Sequence, residues 1–201
     1  VVICLLVNLN TRHPFIVIYG APNLGKTVQT TKLAEAIGAQ YIKYPVYTES
    51  PTGPRINSIL RTPLPVEPII LQREFAQNRR AFEVHLNEIL QVQPVVGEAY
   101  TCTGIINGML EGIPYETLFE LNRDLLKEDV GILLDGETRF TGGIERGHRF
   151  EDGADWERTR DLHREMAERE GWRLVNANQS IEAVQIDLLE AVTQSLSEIT
   201  A

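Results

Sequence analysis

The stretch Gly20-Ala21-Pro22-Asn23-Leu24-Gly25-Lys26-Thr27 has the frame of a phosphate-binding loop: a glycine, four residues, then Gly-Lys-Thr. Two glycines let the backbone curl so that its N–H groups converge on an anion. A helix starting at the loop adds the positive end of its dipole. In this frame Lys26 reaches the β- and γ-phosphates of a nucleotide and the Thr27 hydroxyl ligates Mg²⁺. The expected nucleotide contacts are therefore Gly20, Asn23, Leu24, Gly25, Lys26 and Thr27. No Asn-Lys-x-Asp run, the signature that reads guanine, occurs in the chain, so ATP is the expected nucleotide. The four inner residues carry no charge, whereas a phosphoryl group in flight needs more positive charge than one lysine supplies. The remainder has to come from another part of the chain.

Such a loop works only between a strand and a helix. Residues 15–19, Phe-Ile-Val-Ile-Tyr, form a wholly apolar run, the pattern of a parallel strand buried on both faces. Residues 26–38 read as a helix with Gly38 just past its end. Further strands are expected at 39–45, 95–97, 131–135 and 172–176. Between them lie a short helical stretch among the five prolines of 50–68, a long helix over 69–91, and helices at 104–110, 115–126, 156–170 and 181–198. The long helix carries Ile70, Phe75, Phe82, Leu86 and Leu90 at apolar positions. Strand and helix alternating in this way predict an α/β fold, a parallel sheet covered on both faces. The polar, glycine-rich span 136–155 reads as a loop rather than a helix.

Composition narrows the partners. A net charge of -9 argues against a nucleic acid polymer, whose backbone needs a basic face. Cys4 and Cys102 match no metal spacing and fit a reduced, cytoplasmic setting. The apolar run at the start is seven residues long, without the pattern of a signal peptide or a membrane span. Residues 1–12 are taken as an extension before one domain at 13–201. His13, His85 and His163 show no ligand spacing and are expected at the surface, and Cys102 as a small buried residue.

Four runs beyond the loop resemble thymidylate kinases, nucleoside monophosphate kinases with the same phosphate loop. Phe-Ala-Gln-Asn-Arg-Arg at 75–80 is similar to the family's Phe-x-x-Asn/Asp-Arg. Val-Val-Gly-Glu-Ala-Tyr-Thr-Cys-Thr-Gly at 95–104 stands where the family has an apolar strand followed by Asp-Arg-Tyr. Residues 145–151 resemble the basic lid over ATP, and 172–184 the last strand and the loop beside the adenine, which gives Gln179 to the nucleotide site. The resemblance implies a three-layer P-loop NTPase fold with a five-stranded parallel sheet, ATP and Mg²⁺ as cofactors, dTMP as acceptor and a homodimer. By the same resemblance Phe75 stacks on the thymine and Arg79 bonds its carbonyl edge, with Tyr100 and Thr103 in the acceptor pocket. Read without it, Phe75 is core and Arg79 a solvated charge, although their spacing does put both on one helical face.

The resemblance further implies a catalytic set of Lys26, Glu98, Arg146 and Arg149, with Thr27 and Glu98 near the metal. The lid at about 136–155 then supplies the missing charge through Arg146, His148 and Arg149, with Arg139 slightly earlier, while Asp135 supports lid geometry. Three positions depart from the family. Pro22 or Asn23 replaces an acid that holds the acceptor sugar, and Ala99 replaces the arginine after the strand acid. No arginine stands near Tyr47 and Thr48, where Arg55 or Lys43 are the substitutes. A deoxynucleoside kinase, or a nucleotide-binding regulator without transfer activity, shares the same loop.

Overall fold

The computed structural model describes residues 12–62, 65–142, 149–150 and 155–200. Five strands form one parallel sheet: β1 (Phe15–Tyr19), β2 (Gln40–Lys43), β3 (Val95–Glu98), β4 (Val130–Asp135) and β5 (Arg173–Asn176). The helices are α1 (Lys26–Ile37), α2 (Thr52–Arg61), α3 (Pro68–Leu90), α4 (Thr101–Leu110), α5 (Tyr115–Asn122), α6 (Trp156–Glu170) and α7 (Ile181–Thr200).

The side chains of β1 alternate between two cores, as the period of a strand requires. Ile16 and Ile18 pack with Leu33 and Ile37 of α1 and with Leu188 and Val192 of α7. Phe15, Val17 and Tyr19 pack on the other face with Leu86 and Leu90 of α3, Ile106 of α4 and Leu162 and Met166 of α6. This produces the three layers of the P-loop NTPase fold. Gly38 ends α1 with φ 68°, and the Ala39 N–H reaches back to the Ala34 carbonyl at 2.8 Å. The sequence-based ending of α1 holds for the expected reason.

Strand order β2-β3-β1-β4-β5 places β1 between β3 and β4. The sheet therefore grows in one direction from β1 up to β3 and in the other from β4 onward. The crevice at the carboxyl ends of the strands, at that switch, is where such sheets bind ligands. Arg12, expected in the extension, is docked on the domain through two hydrogen bonds to Asp129, at 2.6 and 2.9 Å. The structure also corrects the expectation for His163, which is 1% exposed. It lies on the stripe of α6 that turns toward the sheet, with Trp156, Thr159, Leu162 and Met166.

Candidate active site

Gly20 leaves β1 at φ 149°, and a Cβ there would run into the Leu134 carbonyl of β4. Only glycine lets the loop lie this close to the sheet. Asn23 (φ 60°) and Gly25 (φ 78°) are left-handed, the geometry that turns successive N–H groups to one side. No side chain caps α1, and uncapped first-turn N–H groups are what an anion binds at a helix end. Lys26 Nζ donates to the Ala21 carbonyl at 2.7 Å. The crest of the loop is held from outside by two residues, one inside the expected lid span and one directly after it. Trp156 Nε1 donates to the Pro22 carbonyl, and the Phe140 N–H to the Asn23 carbonyl, both at 2.8 Å. Neither contact has a local signal in the sequence.

Thr27 and Glu98 do meet. Glu98, 3% exposed at the end of β3, accepts the Thr27 hydroxyl on Oε1 at 2.9 Å and the Tyr41 hydroxyl on Oε2 at 2.5 Å. Burial, then the Glu98 contact, raises the Tyr41 pKa above its ordinary value, so the phenol remains a donor. Lys43 Nζ lies 3.3 Å from Glu98 Oε1 and 3.4 Å from Thr27 Oγ1. Among the described residues no cluster of three or more His, Cys, Asp or Glu is arranged to hold a metal. One hydroxyl and one carboxylate suit Mg²⁺ nonetheless, because that ion takes its remaining oxygens from phosphates and water.

A cavity of about 570 Å³ extends from this loop to the wall formed by α3 and α4. Phe75, Arg79, Tyr100 and Thr103 all line it, as do Lys43 and Ala99. Phe75 is at once a cavity wall and part of a small core with Ile56, Ile59, Leu60 and Leu71. Arg79 is 5% exposed, so it is not a solvated charge. Its two terminal nitrogens donate to Asn122 Oδ1 at 3.0 Å and to the Tyr100 carbonyl at 2.9 Å. Gly104 makes room for it, since a Cβ there would lie 2.6 Å from a guanidinium nitrogen. Burial lowers the Arg79 pKa from its ordinary value, yet a guanidinium starts so high that it stays charged. Arg79 Nε, Tyr100 OH and Thr103 Oγ1 are buried in this wall without a partner among the described residues. Buried polar atoms of this kind call for a ligand, an ion or a water.

Beside Arg79, Asn78 is fully buried and holds the segment after β2. It accepts from the Val46 N–H at 2.8 Å and donates to the Val46 carbonyl at 2.9 Å and to Thr52 Oγ1 at 3.0 Å. This positioning role was missed, although Asn78 stands inside the run that carries the resemblance.

Other expected residues stand elsewhere. Arg149 pairs with Glu111 at 2.9 and 2.7 Å, and its N–H reaches the Leu60 carbonyl at 3.1 Å. That pairing draws it to the end of α4, off the cavity lining, where its neighbour Phe150 stands instead. Arg146 and His148 lie outside the described residues. Gln179 donates to the Asn176 carbonyl at 3.0 Å and to Asp187 at 2.7 Å, and does not line the cavity. Arg55 pairs with Glu74 at 3.0 Å, whereas Arg61, unnoticed in the sequence, lines the cavity. Asp135 pairs with Arg164, which also holds Glu137. His163 lines the cavity as well, with Nδ1 on the Thr159 carbonyl at 2.8 Å.

A glycine loop between the central strand and the first helix of a parallel sheet, with a buried acid at the end of the neighbouring strand, defines a P-loop nucleotide-binding protein. The family profile for thymidylate kinase matches residues 18–188. The chain belongs to the thymidylate kinase family. It is similar to a probable thymidylate kinase of Methanococcus vannielii, 30% identical over 129 residues, which are 63% of this chain and 62% of that protein. The chain thus matches less than two thirds of the length of that relative. It is 28% identical to the human thymidylate kinase over 190 residues, 88% of each. The thymidylate kinase structures from Candida albicans and Ehrlichia chaffeensis share the fold, with TM-scores of 0.74 and 0.71. The first is 18% identical and covers 92% of this chain and 94% of its own, and the second 17%, 90% and 98%.

Proposed function

We propose that the protein transfers the terminal phosphoryl group of ATP to dTMP, giving ADP and dTDP. What supports the reading most is one continuous cavity with the phosphate loop and the Thr27–Glu98 pair at one end and Phe75 and Arg79 at the other. A phosphate oxygen of the acceptor attacks the γ-phosphorus, the bond to the β–γ bridging oxygen breaks, and ADP leaves with that electron pair. The attacking oxygen is already anionic, so positioning and charge neutralisation carry the step.

In this reading Lys26 shifts from the Ala21 carbonyl to the β- and γ-oxygens. Thr27 and Glu98 hold Mg²⁺, which when bound neutralises charge on those oxygens. Lys43 and Arg61, both on the lining, steady the acceptor phosphate in place of the arginines the family has elsewhere. Phe75 and Arg79 orient the base through an aromatic face and a fixed donor. Arg146 supplies lid charge on closure, from a lid spanning about 136–155. No described helix is long and apolar enough to cross a membrane. A cytoplasmic homodimer belongs to the same proposal, as does Gln179 beside the adenine.

The test is ADP release with ATP and Mg²⁺ against a panel of dTMP, dAMP and thymidine, with Lys26→Ala as control. Release driven by dTMP and nearly abolished in the folded variant is the expected result. Release with thymidine alone would make the protein a deoxynucleoside kinase, and release with none of the three a nucleotide-binding regulator.

A further inference from the structure

A second cavity, of about 430 Å³, lies among α4, α5, α6 and the turn before β4. Its volume falls within the range of small-molecule sites, whereas voids in a packed core seldom exceed one water. Ile105, Tyr115, Phe119, Leu126, Met166 and Trp172 give it an apolar, largely aromatic lining. One acid on that lining is poorly compensated. Glu128, 9% exposed, accepts the Tyr19 hydroxyl at 2.9 Å. The nearby cations are engaged elsewhere: Lys127 bonds Glu170 at 2.8 Å, and the Arg169 guanidinium sits 4.1 Å over the Tyr115 ring. A carboxylate buried this way is costly unless further donors reach it. Burial accordingly raises the Glu128 pKa above the usual carboxylate value, with its own backbone N–H, then Tyr19 and Lys127, opposing the shift in part.

This cavity backs onto the acceptor wall. Asn122 lines it, and Asn122 Oδ1 is the atom that receives one terminal nitrogen of Arg79. Thr101 and Cys102 also line it, directly after Tyr100, whose carbonyl receives the other. Both hydrogen bonds that orient Arg79 therefore end on this shared partition.

We infer that the second cavity binds a small planar heterocycle presenting adjacent N–H donors to Glu128, and that its occupancy changes acceptor affinity through the Asn122–Arg79 hydrogen bond. The aromatic lining takes the flat body and the donor edge completes the carboxylate. A ligand that pushes on Asn122 re-aims Arg79, and by reciprocity the acceptor alters the affinity for that ligand. The coupling rests on the acceptor role proposed for Arg79, but the binding does not.

The experiment is calorimetric titration of 2-aminobenzimidazole, a flat probe with an amidine-like edge, into the full chain, alongside dTMP titrations with and without saturating probe. The wild type binds the probe. Glu128→Gln, which keeps an acceptor for Tyr19 and loses the charge, binds it about tenfold more weakly or worse, the scale of one charge-assisted hydrogen bond. Phe119→Ala, at the 47% exposed rim, weakens it a few-fold and decides the site alone if Glu128→Gln does not fold. Saturating probe shifts dTMP affinity by roughly fivefold or more, and Asn122→Leu binds the probe but loses that shift. A wild type that does not bind the probe, or variants that bind it equally well, overturns the site. Probe binding with unchanged dTMP affinity overturns the coupling. Probe binding with no dTMP binding overturns the acceptor reading and the coupling together, and leaves the cavity site standing.

Discussion

The Thr27 hydroxyl and the Glu98 carboxylate, 71 residues apart in sequence, share a hydrogen bond of 2.9 Å. One is the first-turn residue of the helix that follows the glycine loop, and the other ends the neighbouring strand. Parallel pairing of β1 with β3, with Ile18 opposite Glu98, makes the meeting unavoidable. Strand register brings these two oxygens together without a dedicated loop, at the point where the proposed function sets Mg²⁺.

Glu98→Gln therefore keeps the contact to Thr27 and removes the charge. The Mg²⁺ concentration needed for half-maximal activity should rise by about 10–100-fold, with the melting temperature nearly unchanged. Magnesium titration of initial rates checks this. An unchanged requirement would remove Glu98 from the metal site.

Ala99 follows Glu98 at φ 56°, a left-handed conformation that disfavours any side chain with a Cβ. That strain is already present in the native chain, so Ala99→Arg adds reach and charge to the cavity with little further backbone cost. A hydrogen bond to a charged donor contributes about 1.5–3 kcal/mol. The variant should lower KM for dTMP by about tenfold, without helping thymidine or altering ATP binding. Loss of activity toward both acceptors would mean that the wall is built around the small side chain.

Burial lowers the pKa of His163 from 6.5 to about 4, with Lys26 opposing protonation and Asp135 favouring it. The folded-state value lies below the unfolded one, so in acid the unfolded chain takes up a proton that the native state refuses. The contribution is intact above pH about 6.5 and is lost as pH falls toward 4. At pH 5, roughly 1.5 units below the unfolded value, the loss is about 2 kcal/mol. Urea unfolding at pH 7 and pH 5 should show the wild type losing about that much more than His163→Gln. Parallel pH dependence in the two proteins would contradict a buried neutral imidazole.

The two lid arginines should separate. Arg149 is tied to Glu111 and α2, so Arg149→Ala loosens the docking of the lid and raises KM for both substrates, with kcat changed by less than about tenfold. Arg146→Ala should act on kcat, with an upper bound of roughly 10³–10⁵ for an arginine that meets the transferring group. Steady-state kinetics distinguishes the two. A larger kcat loss in Arg149→Ala would reverse the assignment.

What could be read from the sequence was local or periodic. The unbroken apolar runs of β1 and β4 marked the buried strands, and Gly38 marked the end of α1 through a conformation that few other residues adopt. The glycine loop was legible because its frame is contiguous. The pairing of Arg149 with Glu111 was not legible, because the two are 38 positions apart and nothing in either neighbourhood announces the pair. Gln179 was assigned by resemblance, and its bond to Asp187 of the following helix had no local signal. His163 could have been found. Helix α6 is so charged that it looks solvated, but Trp156, Thr159, Leu162, His163 and Met166 recur at the spacing of one helical face. Asn78 and the Glu128 cavity depend on tertiary packing alone, which no pattern in one chain encodes.

The two backbone carbonyls at the crest of the glycine loop, Pro22 and Asn23, are held by Trp156, directly after the lid span, and by Phe140, within it. Because Phe140 and Trp156 are moored at the same place, the length of chain between them is decoupled from the geometry of the nucleotide cradle. Doubling a loop closed between fixed ends costs only about 0.6 kcal/mol of chain entropy. The interval from Phe140 to Trp156 is thus where the chain can gain or lose residues with the least effect on phosphate binding. Insertions there would leave phosphate binding in place while displacing Arg146, so their cost should fall on transfer rather than on nucleotide affinity.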